Sequence, residues 1–328
     1  MKNVFYKFLS LAVLVSAFVV PARAQHVLQL EDKTLPVGEF SSVNVDGDFN
    51  ITLSKGSYSV QVTADRNLMP YVQVYVRAKT LYVSYDEKSV PKDIKKLFKG
   101  KDGASPVFRA TVSMPELNGI EIQDNVTLYS SEEFSGSNVT LSLNEKSQIQ
   151  NLSLRANSIT VNMKKNAQAS LALNADKRIE LNTDDKSVLK ATGKANDLTV
   201  IAKGSSDNSL SGECEDLTLK LSERSNTSIS MPVSDKVILD VDGSSKLSLN
   251  GKAELLEAKA DRNAEVEANG FPVKKMKAEL KGGKLNVNVE KELNVTLEGG
   301  SALYFMGTPT LIINKIIKST LAPAGSVK

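Results

Sequence analysis

Short segments of alternating apolar and polar residues recur about every twenty residues from residue 138 onward. In such a segment every second side chain points to the same face of a β-strand, so each strand buries one face and exposes the other. The leading apolar residues follow one another at intervals of 20, 20, 19, 19, 20, 19, 20 and 17 residues. They are Val139, Ile159, Ile179, Leu198, Leu217, Val237, Leu256, Met276 and Leu293.

Polar turns separate each of these strands from a second alternating strand. The turns are rich in Gly, Ser, Asn and Asp, as in Asp242–Ser245 and Glu298–Ser301, and these residues favour sharp changes of chain direction. A unit of two strands and two turns cannot bury its apolar face alone, but stacked units bury a continuous narrow core. An antiparallel sandwich would also contain short strands, yet it needs no constant interval. The pattern therefore predicts an all-β, single-stranded parallel β-helix, or β-solenoid, with about nine regular coils of about 20 residues.

The region before the repeat alternates as well but does not keep the twenty-residue interval. We expect residues 25–115 to form a β-rich N-terminal cap or irregular first coils, because an uncovered solenoid end exposes strand edges. A lysine-rich stretch at 91–103 interrupts the strands and predicts an exposed excursion or a short helix. The solenoid is expected over 116–310, and 311–328 are expected to form a C-terminal cap or tail.

The first 24 residues have the layout of a secretory signal peptide. Lys2 and Lys7 precede an apolar run too short to span a bilayer, and Ala22-Arg23-Ala24 fits a signal peptidase site before Gln25. We therefore expect an exported protein in the periplasm, on the outer-membrane surface or outside the cell, with no transmembrane segment in the mature chain.

Removal of this segment also neutralises the chain. Lys plus Arg falls from 41 to 38, which equals the 38 Asp plus Glu residues. A neutral chain offers no general attraction to nucleic acid, and we exclude that class of partner.

Few residues are suited to catalysis or metal binding. The one histidine, His26, lies next to the expected cleavage site, so Ser–His, Cys–His and histidine–metal sites have no residue to use. The one cysteine, Cys214, lies among acids that disfavour its thiolate, and we interpret it as structural. We predict no catalytic residues, no metal site and no cofactor, and the ligand-binding residues remain unknown at this stage.

Acidic pairs are the remaining route to catalysis. Asp184-Asp185 and Glu132-Glu133 read as solvated turns, and a working pair of carboxylates would more naturally come from adjacent coils. Two further sets of residues have an alternative reading. Asparagines near strand ends could stack as amide ladders or could simply favour turns, and outward lysines could bind a polyanion or could be solvated surface. The asparagines are Asn144, Asn174, Asn182, Asn250 and Asn269, and the lysines are Lys164, Lys165, Lys203, Lys274 and Lys275.

Several phrases of the sequence resemble a bacterial family known as putative auto-transporter adhesin, head GIN domain. They are FSSVNVDGDFNITLSKGSYSVQVTAD, DGSSKLSLNG, LKGGKLNVNV and LEGGSALYFMGTP, and the resemblance runs from about Phe40 to Pro309. It implies an exported parallel β-helix of the kind found in Bacteroidota.

Together these features favour a non-catalytic, adhesin-like solenoid that binds a glycan, an envelope component or a host-surface component. The alternative is a polysaccharide lyase or hydrolase of the pectin-lyase-like type that uses carboxylates from neighbouring coils. A third possibility is self-assembly through the solenoid ends.

Overall fold

The computed structural model describes residues 27–99 and 103–325. The fold is almost entirely β, with 68% strand and 4% helix, and its stacked parallel coils form a β-solenoid of about 10 turns. This confirms the predicted fold class. The predicted signal peptide and His26 lie outside the described residues, and within these residues no helix combines the length and apolarity needed to cross a membrane.

The N-terminal third contains ten short strands and little helix. The strands are β1 (Leu30–Leu35), β2 (Ser42–Asp46), β3 (Phe49–Lys55), β4 (Ser59–Asp65), β5 (Val72–Arg77), β6 (Thr80–Tyr85), β7 (Phe108–Met114), β8 (Gly119–Gln123), β9 (Thr127–Tyr129) and β10 (Glu133–Ser135). Two 3-10 turns, Met69–Tyr71 and Glu87–Ser89, and the helix α1 (Lys92–Leu97) lie between them. The helix falls within the stretch predicted to be an excursion or a short helix.

The rest of the chain consists of longer strands that follow the solenoid. They are β11 (Asn138–Leu143), β12 (Gln148–Met163), β13 (Gln168–Thr183), β14 (Val188–Ala202), β15 (Asp207–Leu221), β16 (Asn226–Pro232), β17 (Lys236–Val241), β18 (Lys246–Asp261), β19 (Glu265–Lys281), β20 (Lys284–Glu298), β21 (Ala302–Met306), β22 (Thr310–Ile316) and β23 (Thr320–Pro323).

The register of these strands reproduces the repeat read from the sequence. Val139 lies opposite Ile159, Ile159 opposite Ile179, and every later leading residue opposite the next, down to Leu293 opposite Leu311. The nine leading residues thus form one buried column. The intervals of 19 and 20 residues are the lengths of single coils.

One expected turn of each unit is a bend inside a continuous strand in most coils. Strands of 15 to 17 residues run through this corner, where the pairing shifts register, as between Ala156 and Ser158. Gly212 and Gly251 occupy the corner with φ of 135° and 139°. A Cβ on Gly212 would lie 1.7 Å from the carbonyl oxygen of Gly193, so only glycine fits there.

The N-terminal coils are stacked in an order that differs from the chain order. Strand β2 lies between β6 and β8, and β3 lies between β7 and β9, all in parallel. The chain therefore forms one coil, leaves it, builds a coil on its outer side and then returns to continue the solenoid.

Antiparallel strands cover this N-terminal end. Strand β5 pairs with β6, β4 pairs with β7, and β1 pairs with β4 as the outermost strand. The buried carboxylate of Asp65 fixes the start of β1, because it accepts hydrogen bonds from the backbone N–H groups of Gln29 and Asn67, both at 2.9 Å.

The C-terminal end has a different structure. Strands β22 and β23 continue the two stacks in parallel on β20 and β21, and every residue of β22 is exposed. No described residue pairs with the outer edge of either strand. The tail beginning at Leu311, for which a cap or tail was expected, thus supplies the last coil. The division of the chain at 24, 115 and 310 stays a prediction.

Candidate functional site

The turns that join the strands stack into a column along the solenoid, here called the turn ladder. Seven consecutive turns of it line a groove, and the ladder residues in the groove are Asp46–Asp48, Asp124-Asn125, Glu145-Lys146, Lys165-Asn166, Asp185-Lys186, Gly204-Ser205 and Glu223-Arg224. At about 4.8 Å per coil, six steps make this stretch about 29 Å long.

Each regular turn of the ladder bends through a left-handed residue. The φ angles are 62° at Glu145, 54° at Lys165, 52° at Asp185, 65° at Gly204 and 66° at Glu223. Because this conformation recurs at the same turn position, the side chains that follow it point outward at regular intervals. The ladder therefore presents a repeated polar surface.

A column of small buried residues supports the ladder from inside. Serine or alanine ends each turn, and a serine hydroxyl can donate back to the turn, as Ser187 Oγ does to the carbonyl oxygen of Asp184 at 2.6 Å. Larger side chains at this inner corner would collide with the coils above and below. The members are Ser147, Ala167, Ser187, Ser206, Ser225, Ser245, Ala264 and Ser301.

The groove has a volume of about 1100 Å³, and its second wall comes from the N-terminal third. Lys95 of α1 and the following Phe98 and Lys99 form part of this wall, and Tyr85 and Phe108 lie beside them. The Tyr85 and Phe108 rings pack with centroids 4.5 Å apart, and Lys99 pairs with Glu87 at 3.2 Å. A half-buried aromatic ring, Phe98, thus faces a long polar ladder.

Three carboxyl groups meet across neighbouring coils near the N-terminal end of the groove. Asp124 hydrogen-bonds to Glu145 on one side and to Asp46 on the other, so at least one proton is shared among them. Partial desolvation, together with these two neighbours, raises the pKa of Asp124 to about 6. The same hydrogen bond and the nearby Lys165, whose Nζ is 3.3 Å from Glu145 Oε1, lower the pKa of Glu145.

This arrangement does not match the pairs that hydrolyse glycosides. Retaining enzymes hold their two carboxyl groups about 5 to 5.5 Å apart and inverting enzymes about 6.5 to 9.5 Å, which leaves room for the sugar or water. Carboxyl groups in hydrogen-bond contact leave no such room. Within the described part of the chain, no group of three or more His, Cys, Asp or Glu residues is arranged to hold a metal ion.

The acidic pairs singled out from the sequence lie in different places. Asp185 lines the groove, and its backbone N–H donates to the Asp184 carboxylate at 2.7 Å. Glu132 and Glu133 lie outside the groove lining, where Glu132 accepts from the backbone N–H of Lys55 and Glu133 lies 3.7 Å from Arg155.

Cys214 is buried inside the solenoid. Burial raises the pKa of its thiol to about 12, and the charges of Asp216 and Asp197 add to the effect. Its sulfur lies 3.9 Å from that of Met231. This environment agrees with a structural role, since a thiol that stays protonated is a poor nucleophile.

The outward lysines do not form one surface. Lys164, Lys165 and Lys203 belong to turns of the ladder, and of these only Lys165 is in the groove lining. Lys274 lies at the opposite corner within β19, where it pairs with Glu254 at 2.6 Å, and Lys275 follows it in that strand.

The asparagines give a single step of an amide ladder among the predicted positions. Asn182 donates to Asn162 on the previous coil at 3.0 Å. Asn174 lies opposite Arg155 and Lys194, and Asn250 lies opposite Ser230 and Gly270, so their neighbours cannot continue a ladder of asparagines.

The sequence reading did not identify the contact of Asp46, Asp124 and Glu145. A signal existed, because Asp124 precedes Glu145 by 21 residues, about one coil, and both begin a polar turn. Asp46 could not be found in this way, since its coil is stacked out of chain order.

Comparison with known proteins bears on the family. Residues 39–212 and 208–309 match the family model described as "Putative auto-transporter adhesin, head GIN domain", which confirms the resemblance seen between Phe40 and Pro309. Among curated proteins, no sequence matches the chain.

Several solved structures are similar to the chain. One is a putative adhesin from Parabacteroides distasonis ATCC 8503, with 16% identity over 90% of this chain and 98% of that chain and a TM-score of 0.38. A putative adhesin from Bacteroides fragilis NCTC 9343 has 15% identity over 90% and 97% and a TM-score of 0.29. A putative lipid binding protein from Parabacteroides distasonis ATCC 8503 has 16% identity over 89% and 96% and a TM-score of 0.25.

Proposed function

Because the chain belongs to the putative auto-transporter adhesin, head GIN domain family, we propose that it is a non-catalytic, adhesin-like protein that binds an extended glycan chain. The observation that carries this proposal is the groove of about 1100 Å³ along seven turns of the ladder. An extended polymer fits an extended groove, and solenoids use surfaces of this kind for binding.

The chemistry of the groove suits a polar, uncharged or weakly charged polymer. Acids and bases alternate along it, as in Glu145-Lys146 and Asp185-Lys186, so a strongly charged polymer would meet like charges at every second step. Hydroxyl groups of sugars can donate to the carboxylates and accept from the lysines. Phe98 offers an aromatic surface for the apolar face of a sugar ring.

Two features of the groove favour binding over catalysis. The three carboxyl groups that meet in it are in direct contact, closer together than the pairs that cleave glycosides. The histidine at position 26 lies outside the described residues and is not part of the groove. The alternative of a polysaccharide lyase or hydrolase is tested by incubating the protein with a panel of polysaccharides. The proposal requires that chain lengths stay unchanged.

The predicted signal peptide and the family favour action outside the cytoplasm. We propose that the mature chain acts in the periplasm or at the cell surface, where envelope or host glycans are available. Proteolysis of intact cells tests the location, because a surface protein is digested and a periplasmic one is protected.

The matched pair Ser205→Trp and Ser244→Trp tests the binding proposal. Both serines are exposed and follow a left-handed glycine at the same turn position, Gly204 with φ 65° and Gly243 with φ 74°. Only Ser205 lines the groove. The first ligand is taken from a glycan array, and its affinity is then measured by calorimetry.

We expect Ser205→Trp to weaken binding of that glycan at least tenfold, since the indole fills the groove, and Ser244→Trp to leave it unchanged. Equal affinities of both variants for the glycan would contradict the assignment of the groove. A mature protein that retains no glycan of a broad array would contradict the glycan as ligand.

A further inference from the structure

We propose that the C-terminal end of the solenoid is a pairing surface for a second copy of the same chain, which docks end to end to form a closed, two-fold symmetric dimer. This inference is independent of the groove. It rests on the last coil, where two kinds of unsatisfied surface coincide.

The first kind is an exposed cross-section of the core. Leu311 and Ile313 lie opposite Leu293 and Val295, both 0% exposed, and Ile316 lies opposite Leu297, also 0% exposed. They therefore occupy inward columns of the solenoid, yet they are 41%, 54% and 38% exposed. Leu321 of β23 continues the facing inward column from Leu303. Core side chains at this end are thus left facing solvent.

The second kind is a double row of backbone groups. Strands β22 and β23 each pair on one side only, and no described residue bonds to their outer edges. Such edges template pairing with another strand. A lipid surface or a glycan cannot supply the alternating N–H and C=O groups that two strand edges require, so the chemistry favours a polypeptide with two strand edges.

A second copy of this same end meets both requirements. A two-fold axis through Ile313 places β22 antiparallel to its counterpart, with Ile313 opposite the same residue of the other copy and Leu311 opposite Ile316. Inward apolar positions then meet inward apolar positions along the whole strand. The two cores become continuous, and both edges gain partners.

Charge does not oppose this arrangement. The charged residue of β22 is Lys315, which is already paired with Glu298 at 2.9 Å. In the register centred on Ile313, and with Asn314 as the bulged residue, Lys315 lies opposite Ile312 of the other copy. Like charges are thus not placed against each other.

The other end of the molecule is a poor partner for this surface. Its outermost strand β1 carries Glu31, Asp32 and Lys33 and is exposed along nearly its whole length. Charges on an edge strand oppose further pairing. Head-to-tail contact would set these groups against the apolar end, so assembly should stop at two copies.

Sedimentation velocity over a concentration series tests the proposal with the mature chain and two variants. Ile313→Lys introduces a charge at the proposed axis. The matched control Ile238→Lys changes an isoleucine that is 38% exposed in the middle of a sheet face, far from either end. We expect dimers for the mature chain and Ile238→Lys, and monomers for Ile313→Lys. A mature chain that stays monomeric, or that grows beyond dimers, would overturn the proposal.

A second variant keeps the test independent of any folding defect. Ile313→Cys places one thiol of each copy directly opposite the other across the axis, within the range that a disulfide spans. Cys214 is buried and does not compete. Mild oxidation should convert most of the Ile313→Cys protein to a covalent dimer and leave Ile238→Cys monomeric on a non-reducing gel. Failure of Ile313→Cys to cross-link, or equal cross-linking of both variants, would contradict this geometry.

Discussion

The two ends of the solenoid solve the same physical problem in different ways. Each end of a stack of coils exposes the edges of two strands and a section of the core. At the N-terminal end, β5, β4 and β1 turn antiparallel and cover the first coil, and the exposed edge that remains carries Glu31, Asp32 and Lys33. At the C-terminal end, β22 and β23 continue the parallel stack and leave it open.

The difference teaches that coverage depends on strand direction. A parallel strand added to a parallel stack only moves the open edge outward by one coil. An antiparallel strand with a charged outer edge ends the stack, because the next strand would have to bury charge. The first end is thus closed by the chain itself, while the second presents a surface of apolar side chains and backbone groups.

The largest expected effect comes from truncating a leucine at each end. Leu81 in β6 is 0% exposed beneath β5, whereas Leu311 in β22 is 41% exposed. We expect Leu81→Ala to lower the free energy of unfolding by about 2 to 5 kcal/mol and Leu311→Ala by less than about 1 kcal/mol. Urea denaturation at concentrations where the chain is monomeric measures both. Similar losses for the two variants would show that the ends are equally covered.

An intermediate effect is expected when the charges of β1 are removed. The variant Glu31→Thr, Asp32→Thr, Lys33→Thr turns the closed end into a neutral strand edge. We expect assemblies larger than dimers in sedimentation velocity, since both ends can then pair.

The control for this change is Glu290→Thr, Lys291→Thr, Glu292→Thr, which removes three charges from the side of the solenoid within β20. It should leave the assembly state unchanged. If the β1 variant behaves like this control, edge charge does not close the N-terminal end.

The smallest expected effect concerns pH and the carboxyl groups near the N-terminal end. The folded-state pKa of Asp124 is raised to about 6 from 3.8, so its contribution to stability is complete below about pH 4 and is lost as pH rises through 6. Asp124→Asn keeps the left-handed turn and removes the charge. We expect it to raise the stability at pH 7 to 8 by up to about 1 kcal/mol after allowance for solvent screening, with no gain below pH 4.

The control for the pH effect is Asp185→Asn, the same substitution at the same turn position three coils further on, where φ is 52°. The measurement is the midpoint of thermal unfolding from pH 4 to 8. A gain for Asp124→Asn that is equal at all pH values would exclude the shared proton as its cause.

The regular coils could be predicted from the sequence because their contacts repeat locally. A residue such as Ile159 meets residues one interval before and after it, so the interval alone gives the register. The corner inside the long strands was less visible, since a bend at Gly212 or Gly251 leaves the alternation almost intact.

The N-terminal third could not be predicted in this way. The position of β2 between β6 and β8 depends on pairing between segments far apart in the chain, and no repeat records it. The groove has the same origin, because one wall is the turn ladder and the other is the excursion around α1. Alternation and spacing identify the ladder turns, and only the fold brings Phe98 and Asp46 to them.

Hydrogen exchange across a concentration series tests the central claim that the two ends differ and that only the C-terminal one pairs. The account requires the amides of β22 and β23 to become protected as the protein concentration rises, while those of β1 and β5 keep their rates. Protection that rises at β1 and β5, or at neither end, would contradict it.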